Sequence, residues 1–236
     1  MESTLGEGSY GKVFKVKIKE SNQIFAMKIV RKRTIENWHM IDQLKNEINI
    51  MLSLSHPNII DLLTYFEDTQ NIYFILEVAE EEHLFHRLKK KGKYEEREAA
   101  YVIHEIVKAV NYLHTRTPPI IHRDIKPENI LFVGKNAKLA DFGWSNLKDT
   151  GTRTTYCGTP DYLAPEMVRE QGHNEKLDIW TIGILTYELL TGRAPFTPNA
   201  KLEKIEKTKI LEENILKAEV DFFGNFLSEE ARDIIY

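Results

Sequence analysis

The apolar residues of this chain change period about a third of the way along, and that change restricts the folds open to it. Residues 13–19 alternate, with Phe14, Val16 and Ile18 facing one way and Lys15, Lys17 and Lys19 the other, which predicts a strand. Residues 24–30 and 71–78 are further apolar, β-branched runs and also read as strands. Between them Ile41, Leu44, Ile48 and Met51 recur at helical spacing. From about Glu80 onward the helical period dominates. Ala99, Val102, Ile106, Val110 and Leu113 form one amphipathic stripe. Residues 178–191 are apolar nearly all round, predicting a helix buried in the core and ended by Gly192. Residues 201–217 predict an exposed helix, with Glu203 four before Lys207 and Glu213 four before Lys217. Strands first and helices afterwards imply an α+β chain in two parts, 1–79 and 80–236, with a cleft between them.

Composition narrows the class. At 236 residues and 42% apolar content the chain has material for a sizeable core, and a net charge of −4 argues against a dedicated nucleic-acid binder. No stretch approaches the ~18 apolar residues of a membrane span, and the N-terminus lacks a signal-peptide core. The one cysteine, Cys157, rules out an intrachain disulfide and reads as a small packing residue. A reducing compartment, cytoplasm or nucleus, is the expectation. Lys89, Lys90, Lys91 and Lys93 read as a solvated helix end rather than a localisation signal or a nucleic-acid contact.

Several motifs suggest phosphate chemistry. Gly6, Gly8 and Gly11 form a G-x-G-x-x-G loop, which alone fits a plain turn or a dinucleotide fingerprint. The fingerprint needs a helix after the glycines, whereas here they run into the alternating strand, so a hairpin folded over phosphates fits better. Lys28 lies inside an apolar strand and needs a partner, for which Glu47 on the Leu44–Ile48 stripe is the candidate. Taken alone, Lys28 favours a structural ion pair or a lysine that snorkels to solvent. His122, Arg123 and Asp124, with Lys126 and Asn129, form a polar cluster between apolar runs, and Asp141-Phe142-Gly143 follows. Two carboxylates and an amide on short loops suit Mg²⁺, a hard cation that favours oxygen ligands and substrate phosphates.

In this order the motifs resemble the protein kinase family: the glycine loop with Val13, the strand lysine, the helix glutamate, H-R-D-x-K-x-x-N, D-F-G and Ala164-Pro165-Glu166. The resemblance implies a bilobal fold, a small antiparallel β lobe with one key helix above a larger helical lobe. It implies ATP and Mg²⁺ as cofactors and protein substrates. Lys28 would hold the α- and β-phosphates, paired with Glu47. Asn129 and Asp141 would ligate Mg²⁺. Asp124 would orient the substrate hydroxyl and accept its proton, and Lys126 would neutralise the transferring group. Leu5, Gly6, Gly8, Gly11, Val13 and Ala26 on one side and Leu131 on the other would enclose the nucleotide. The backbone at Glu77 and Ala79 would bind the adenine edge, with Leu76 guarding the deeper pocket.

Lys126 and Thr159 resemble the serine/threonine class rather than the tyrosine class. Glu128 and Glu188 match acids that meet an arginine two residues before the target in basophilic relatives. Glu188 is equally a structural residue near the end of the buried helix. Thr155, and secondarily Thr154, would be activating phosphosites paired by Arg123. Trp144 after D-F-G, residues 154–159 and residues 173–178 are together similar to the Aurora group of mitotic kinases. That likeness implies cell-cycle work at centrosome and spindle and an activating protein on the small lobe; charge and the lack of a long apolar stretch set the expectation of no direct nucleic-acid or membrane contact. Some features depart from the family pattern. Strand one is short, the arginine that normally pairs Glu166 is absent, Glu80-Glu81-Glu82 replaces small residues, and His83 stands where some relatives carry an acid. The alternatives are a catalytically impaired truncated kinase and a pseudokinase-like binding scaffold.

Overall fold

The computed structural model describes residues 3–8, 11–80, 83–143, 146–147, 160–172, 174–198, 203–222 and 227–236. Its first part is an antiparallel sheet of five strands: β1 (Ser3–Gly8), β2 (Gly11–Lys17), β3 (Ile24–Arg31), β4 (Leu62–Glu67) and β5 (Asn71–Leu76), in the order β1-β2-β3-β5-β4. Val13 lies opposite Lys28 and Lys28 opposite Phe74, so the lysine sits on a central strand. Gly11 is dictated by packing, since a Cβ there would lie 1.9 Å from the Ile29 carbonyl oxygen.

Two strand boundaries differ from expectation. The strand β2 stops at Lys17, because Ile18 donates its amide to Gln23 and accepts from Asn22 in a turn. Ile18 is therefore exposed and does not share the face of Phe14 and Val16. The strand β5 ends at Leu76 rather than at residue 78.

Two helices follow β3: α1 (Lys32–Asn37) and α2 (Ile41–Ser53). Leu44, Ile48 and Met51 of α2 are buried as their spacing predicts, whereas Ile41, in the first turn, is exposed. Glu47 shares the buried face and is only 3% exposed.

The helical part holds α3 (Leu84–Lys91), α4 (Glu96–His114), α5 (Pro165–Val168), α6 (Lys176–Thr191), α7 (Lys204–Lys217) and α8 (Glu229–Ile235). Short strands β6 (Ile120–Ile121), β7 (Ile130–Val133), β8 (Asn136–Leu139) and β9 (Asn146–Leu147) pair as β6–β9 and β7–β8. The N-terminus of α4 is closed by a capping box in which Glu95 and Glu98 satisfy each other's backbone amides. Its predicted stripe, Ala99 to Leu113, is buried. The helix α6 is buried nearly all round and ends at Gly192, which has φ of 83°. A side chain there would also meet the Gly92 carbonyl oxygen at 2.3 Å, so both backbone conformation and packing require glycine.

The expectation of an exposed helix over 201–217 needs correcting. Leu211 and Ile215, four apart, bury one face of α7, which packs against α5. Lys89, Lys90, Lys91 and Lys93 are exposed, as a solvated helix end would be, and Lys91 pairs with Glu98 at 2.6 Å.

One continuous apolar cluster runs from Val30, Phe74 and Met51 through Ile59 to Leu113 on α4 and Leu185 on α6. Buried Asn58 ties the segment after α2 to this body. Its side chain donates to Glu105 at 2.5 Å and to the Ala137 carbonyl at 3.0 Å, while its own carbonyl accepts from Leu139 at 2.8 Å. The architecture is the expected bilobal α+β one.

Candidate functional site

A cleft of about 650 Å³ lies between the sheet and the helices. Leu5, Gly6, Val13, Ala26 and Leu76 line it from the sheet, Glu77 and Ala79 from the segment after β5, and Leu131 from β7. These groups make one end apolar. The other end is charged and holds Lys28, Glu47, Asp124, Lys126, Asn129 and Asp141. Motifs scattered along the sequence thus meet in one cavity.

Strand register and helix period together position the upper charges. Lys28 projects from β3 and meets Glu47 of α2 at 3.0 Å, with Asp141 at 3.6 Å. Burial works against the lysine's charged form, but the carboxylates of Glu47 and Asp141 outweigh it and hold the ammonium above the ordinary lysine range. The same ammonium holds the Asp141 carboxyl below its usual value, against the effect of burial. Lys28 is therefore a paired cation in the cleft, not a lysine that snorkels to solvent.

The lower charges come from the segment between β6 and β7. Asp124 is 6% exposed, and its carboxylate meets Lys126 at 2.9 Å and accepts from the Asn129 amide at 2.8 Å. The Asn129 amide nitrogen also donates to the Asp124 carbonyl at 2.7 Å, which leaves its side-chain oxygen as the acceptor able to serve a cation. Among the described residues no set of three or more His, Cys, Asp or Glu side chains is arranged to hold a metal by itself. A carboxylate and an amide oxygen nevertheless fit Mg²⁺, which commonly takes one or two protein ligands and completes its shell with water and phosphate.

Two residues here adopt left-handed backbone, Arg123 at φ 68° and Asp141 at φ 63°. Non-glycine residues need local support to hold such a conformation. For Arg123 that support is Asp178, which is fully buried in the first turn of α6 and accepts the backbone amides of His122 at 2.9 Å and Arg123 at 2.8 Å. For Asp141, its neighbour Phe142 is fully buried and packs edge-on against His122, with ring centroids 4.9 Å apart. The Gln43 side chain of α2 donates to the Gly143 carbonyl. Burial pushes the His122 imidazole below its usual pKa, so it is the neutral ring that packs here.

Other expected residues are placed as follows. Gly11 lies tight against the Ile29 carbonyl of β3, and Gly8 is the last residue of β1. Glu128 is exposed at the rim of the cleft. Glu188 lies apart from it and accepts the Tyr162 hydroxyl. Trp144, Thr154, Thr155, Cys157 and Thr159 fall outside the described residues. Sequence reasoning passed over Asp178 and Tyr162, and it did not expect His86 to join His83 at the cleft, where their rings lie 4.0 Å apart. A buried acid at the head of an all-apolar helix was the available signal for Asp178.

Comparison with known proteins agrees with this geometry. The family described as protein kinase domain matches residues 1–236. An Aurora kinase of Candida glabrata is 40% identical over 233 residues, covering 98% of this chain and 62% of the relative. Aurora kinase A-A of Xenopus laevis is 39% identical over 233 residues, covering 98% and 54% respectively. An Aurora kinase of Dictyostelium discoideum is 38% identical over 232 residues, covering 98% and 58%. The chain thus spans little more than half the length of the relatives it matches.

Proposed function

This chain belongs to the protein kinase family, and from that premise we propose that it transfers the γ-phosphate of ATP to serine or threonine hydroxyls of proteins. The observation that carries the reading is the meeting of Lys28, Asp124 and Asp141 in one cleft, each with a charged partner within 3.6 Å. We divide the chain at Ala79, with the nucleotide held between 1–79 and 80–236.

Adenine lies between Val13 and Ala26 on one side and Leu131 on the other, with Leu5 and the Gly6, Gly8, Gly11 loop covering it. The Glu77 amide already donates to the Asp61 carbonyl at 3.0 Å, so the Glu77 carbonyl and the Ala79 amide are the groups for the adenine edge. Lys28, aligned by Glu47, binds the α- and β-phosphates. Asp141 and the Asn129 side-chain oxygen hold magnesium. When bound, the metal neutralises charge on the triphosphate. Asp124 orients the acceptor hydroxyl and takes its proton, and Lys126 steadies the charge on the phosphoryl group in flight. Positioning and charge neutralisation do most of the work in such a transfer.

Three finer readings join the proposal. First, Lys126 and Thr159 select serine or threonine. Second, Glu128 and Glu188 read an arginine two residues before the target. Burial raises the Glu188 pKa against the opposing Tyr162 hydrogen bond, and the charges of Glu128 and Asp161 raise it further, so an incoming cation relieves mutual repulsion. Third, phosphate on Thr155, or secondarily Thr154, pairs with Arg123 and activates the enzyme. The likeness to Aurora kinases supports mitotic work in cytoplasm and nucleus, at centrosome and spindle, with an activating protein on the small lobe.

Labelled ATP, Mg²⁺ and peptides with serine, threonine or tyrosine targets test the reading. Transfer to serine or threonine is expected, with Glu188→Gln lowering the arginine preference about tenfold, the effect of losing one charge-assisted contact. That preference should fade in the parent as pH falls through the raised Glu188 pKa, because the neutral acid no longer attracts a cation. An intact parent that labels no peptide sinks the proposal.

A further inference from the structure

Thr197 is exposed in the irregular segment that follows α6, and Pro198 comes directly after it. Its hydroxyl donates to Asp161 Oδ1 at 2.9 Å. Asp161 belongs to the short helical turn Pro160–Tyr162, whose Tyr162 hydroxyl donates to Glu188. The charges of Glu128 and Asp161 both reach Glu188. The Thr197 hydroxyl therefore ties the segment after α6 to the acids proposed above to read the substrate arginine.

The residue before it is anchored separately. Phe196 is 3% exposed and stacks on Trp180 with ring centroids 5.7 Å apart. Its carbonyl accepts from the Asn214 amide of α7 at 3.1 Å. A change at the Thr197 hydroxyl thus acts on Asp161 while the segment stays packed. Esterified with phosphate, Thr197 loses the hydrogen it donates and gains about −1.5 to −2 charge. Attraction to the Asp161 carboxylate becomes repulsion between like charges.

We propose that Thr197 is a phosphorylation site for a proline-directed serine/threonine kinase, and that its phosphate weakens peptide binding by driving Asp161 from the segment after α6. Threonine followed by proline is the dipeptide such enzymes read. In the step, Thr197 Oγ1 bonds to the γ-phosphorus of ATP, the bond from that phosphorus to the bridging oxygen breaks, and ADP leaves. The hydroxyl proton passes to the modifying enzyme's base. The effect on peptide binding rests on the kinase reading above; the modification itself does not.

The test treats the folded chain with ATP, Mg²⁺ and a purified cyclin-dependent kinase with its cyclin. Labelling is measured in the Asp141→Asn background, so that the label comes from the added enzyme. Fragment masses locate it, because Thr117 and Thr159 also precede proline. Near-complete labelling at Thr197 is expected, and none there in Thr197→Val or Pro198→Ala. In the treated parent KM for a peptide with the arginine should rise about tenfold, while kcat and KM for ATP change less than about twofold. Pro198→Ala keeps the Thr197 hydroxyl, so its activity should match the untreated parent and ignore the treatment. It also serves as the control if Thr197→Val does not fold. Amide hydrogen exchange gives a readout independent of activity. The Leu163 amide, which donates to the Pro160 carbonyl at 3.3 Å, should exchange faster after labelling. Labelling at Thr117 or Thr159 alone, or at Thr197 only in the denatured chain, overturns the proposal. So does a labelled Thr197 with an unchanged or lowered peptide KM in an active parent. A parent inactive before treatment, but labelled at Thr197 with faster Leu163 exchange, instead sinks the kinase reading and leaves the site standing.

Discussion

The two charged groups of the cleft are buried alike but held in different ways. Lys28 and Glu47 meet side chain to side chain across β3 and α2, so their alignment depends on where α2 sits. That helix has no side-chain cap at Met40, and its residues Ile41 and Leu52 are 46% and 49% exposed. Asp124 instead belongs to a segment whose backbone amides are fixed by Asp178 of the buried helix α6. The lower half is thus a fixed support and the upper half an adjustable one. Regulation that moves α2 would alter the Lys28–Glu47 pair without disturbing Asp124.

Asp124→Asn probes the fixed half and should have the largest effect on chemistry. If Asp124 is the proton acceptor proposed above, its loss should lower kcat by about 10²- to 10⁴-fold. Melting should stay close to the parent, because Asp178 and not the Asp124 charge holds the backbone. A melting loss as large as that of Glu47→Gln would break the comparison.

Glu47→Gln probes the adjustable half. Removing one partner of a buried pair should lower stability by about 3 kcal/mol, measurable by chemical denaturation. Activity should fall together with it, by about tenfold or more.

Lys28→Met should sharpen the same point through pH. The raised Lys28 pKa contributes stability that is complete below the ordinary lysine value of 10.5 and lost as pH rises through the higher folded value. The depressed Asp141 pKa contributes stability present above its ordinary 3.8 and lost as pH falls through the lower folded value. The stability gap between parent and variant should therefore be flat across neutral pH and narrow at both extremes. A gap that changes steeply near neutrality would contradict the assignment.

Lys15→Ala should do least. The ion pair of Lys15 with Glu80 at the cleft mouth is partly exposed, at 27% and 59%, and such pairs contribute about 0–1 kcal/mol. A larger loss would mean that the mouth also fixes the upper half.

Much of this arrangement was legible in the sequence, for physical reasons that also set the limits. Lys28 stands out because it interrupts an apolar run, which only a buried partner makes tolerable, and Glu47 because it lies on the helix whose stripe includes Leu44 and Ile48. The α4 stripe and the all-apolar α6 were readable because burial requires their periods. The strand β4 was missed because five of its six residues are exposed, so no buried alternation marks it. Gly11 reads as a phosphate-loop glycine, and its additional tight contact with the Ile29 carbonyl, across the sheet, has no local signal. An acid at the head of an all-apolar helix marks Asp178, but the backbone amides it holds lie 56 and 55 residues away, so what it anchors has no local signal.

Melting of this chain with and without Mg²⁺ and ATP, beside its Asp141→Asn variant, tests most directly whether these groups converge on a metal-bound triphosphate. A ligand that binds only the native state stabilises it, by about 2.7 kcal/mol at a hundred times its Kd. The account predicts a magnesium-dependent rise for the parent that Asp141→Asn largely loses. A parent whose melting ignores the nucleotide, or a variant that responds equally with the same magnesium dependence, would contradict it.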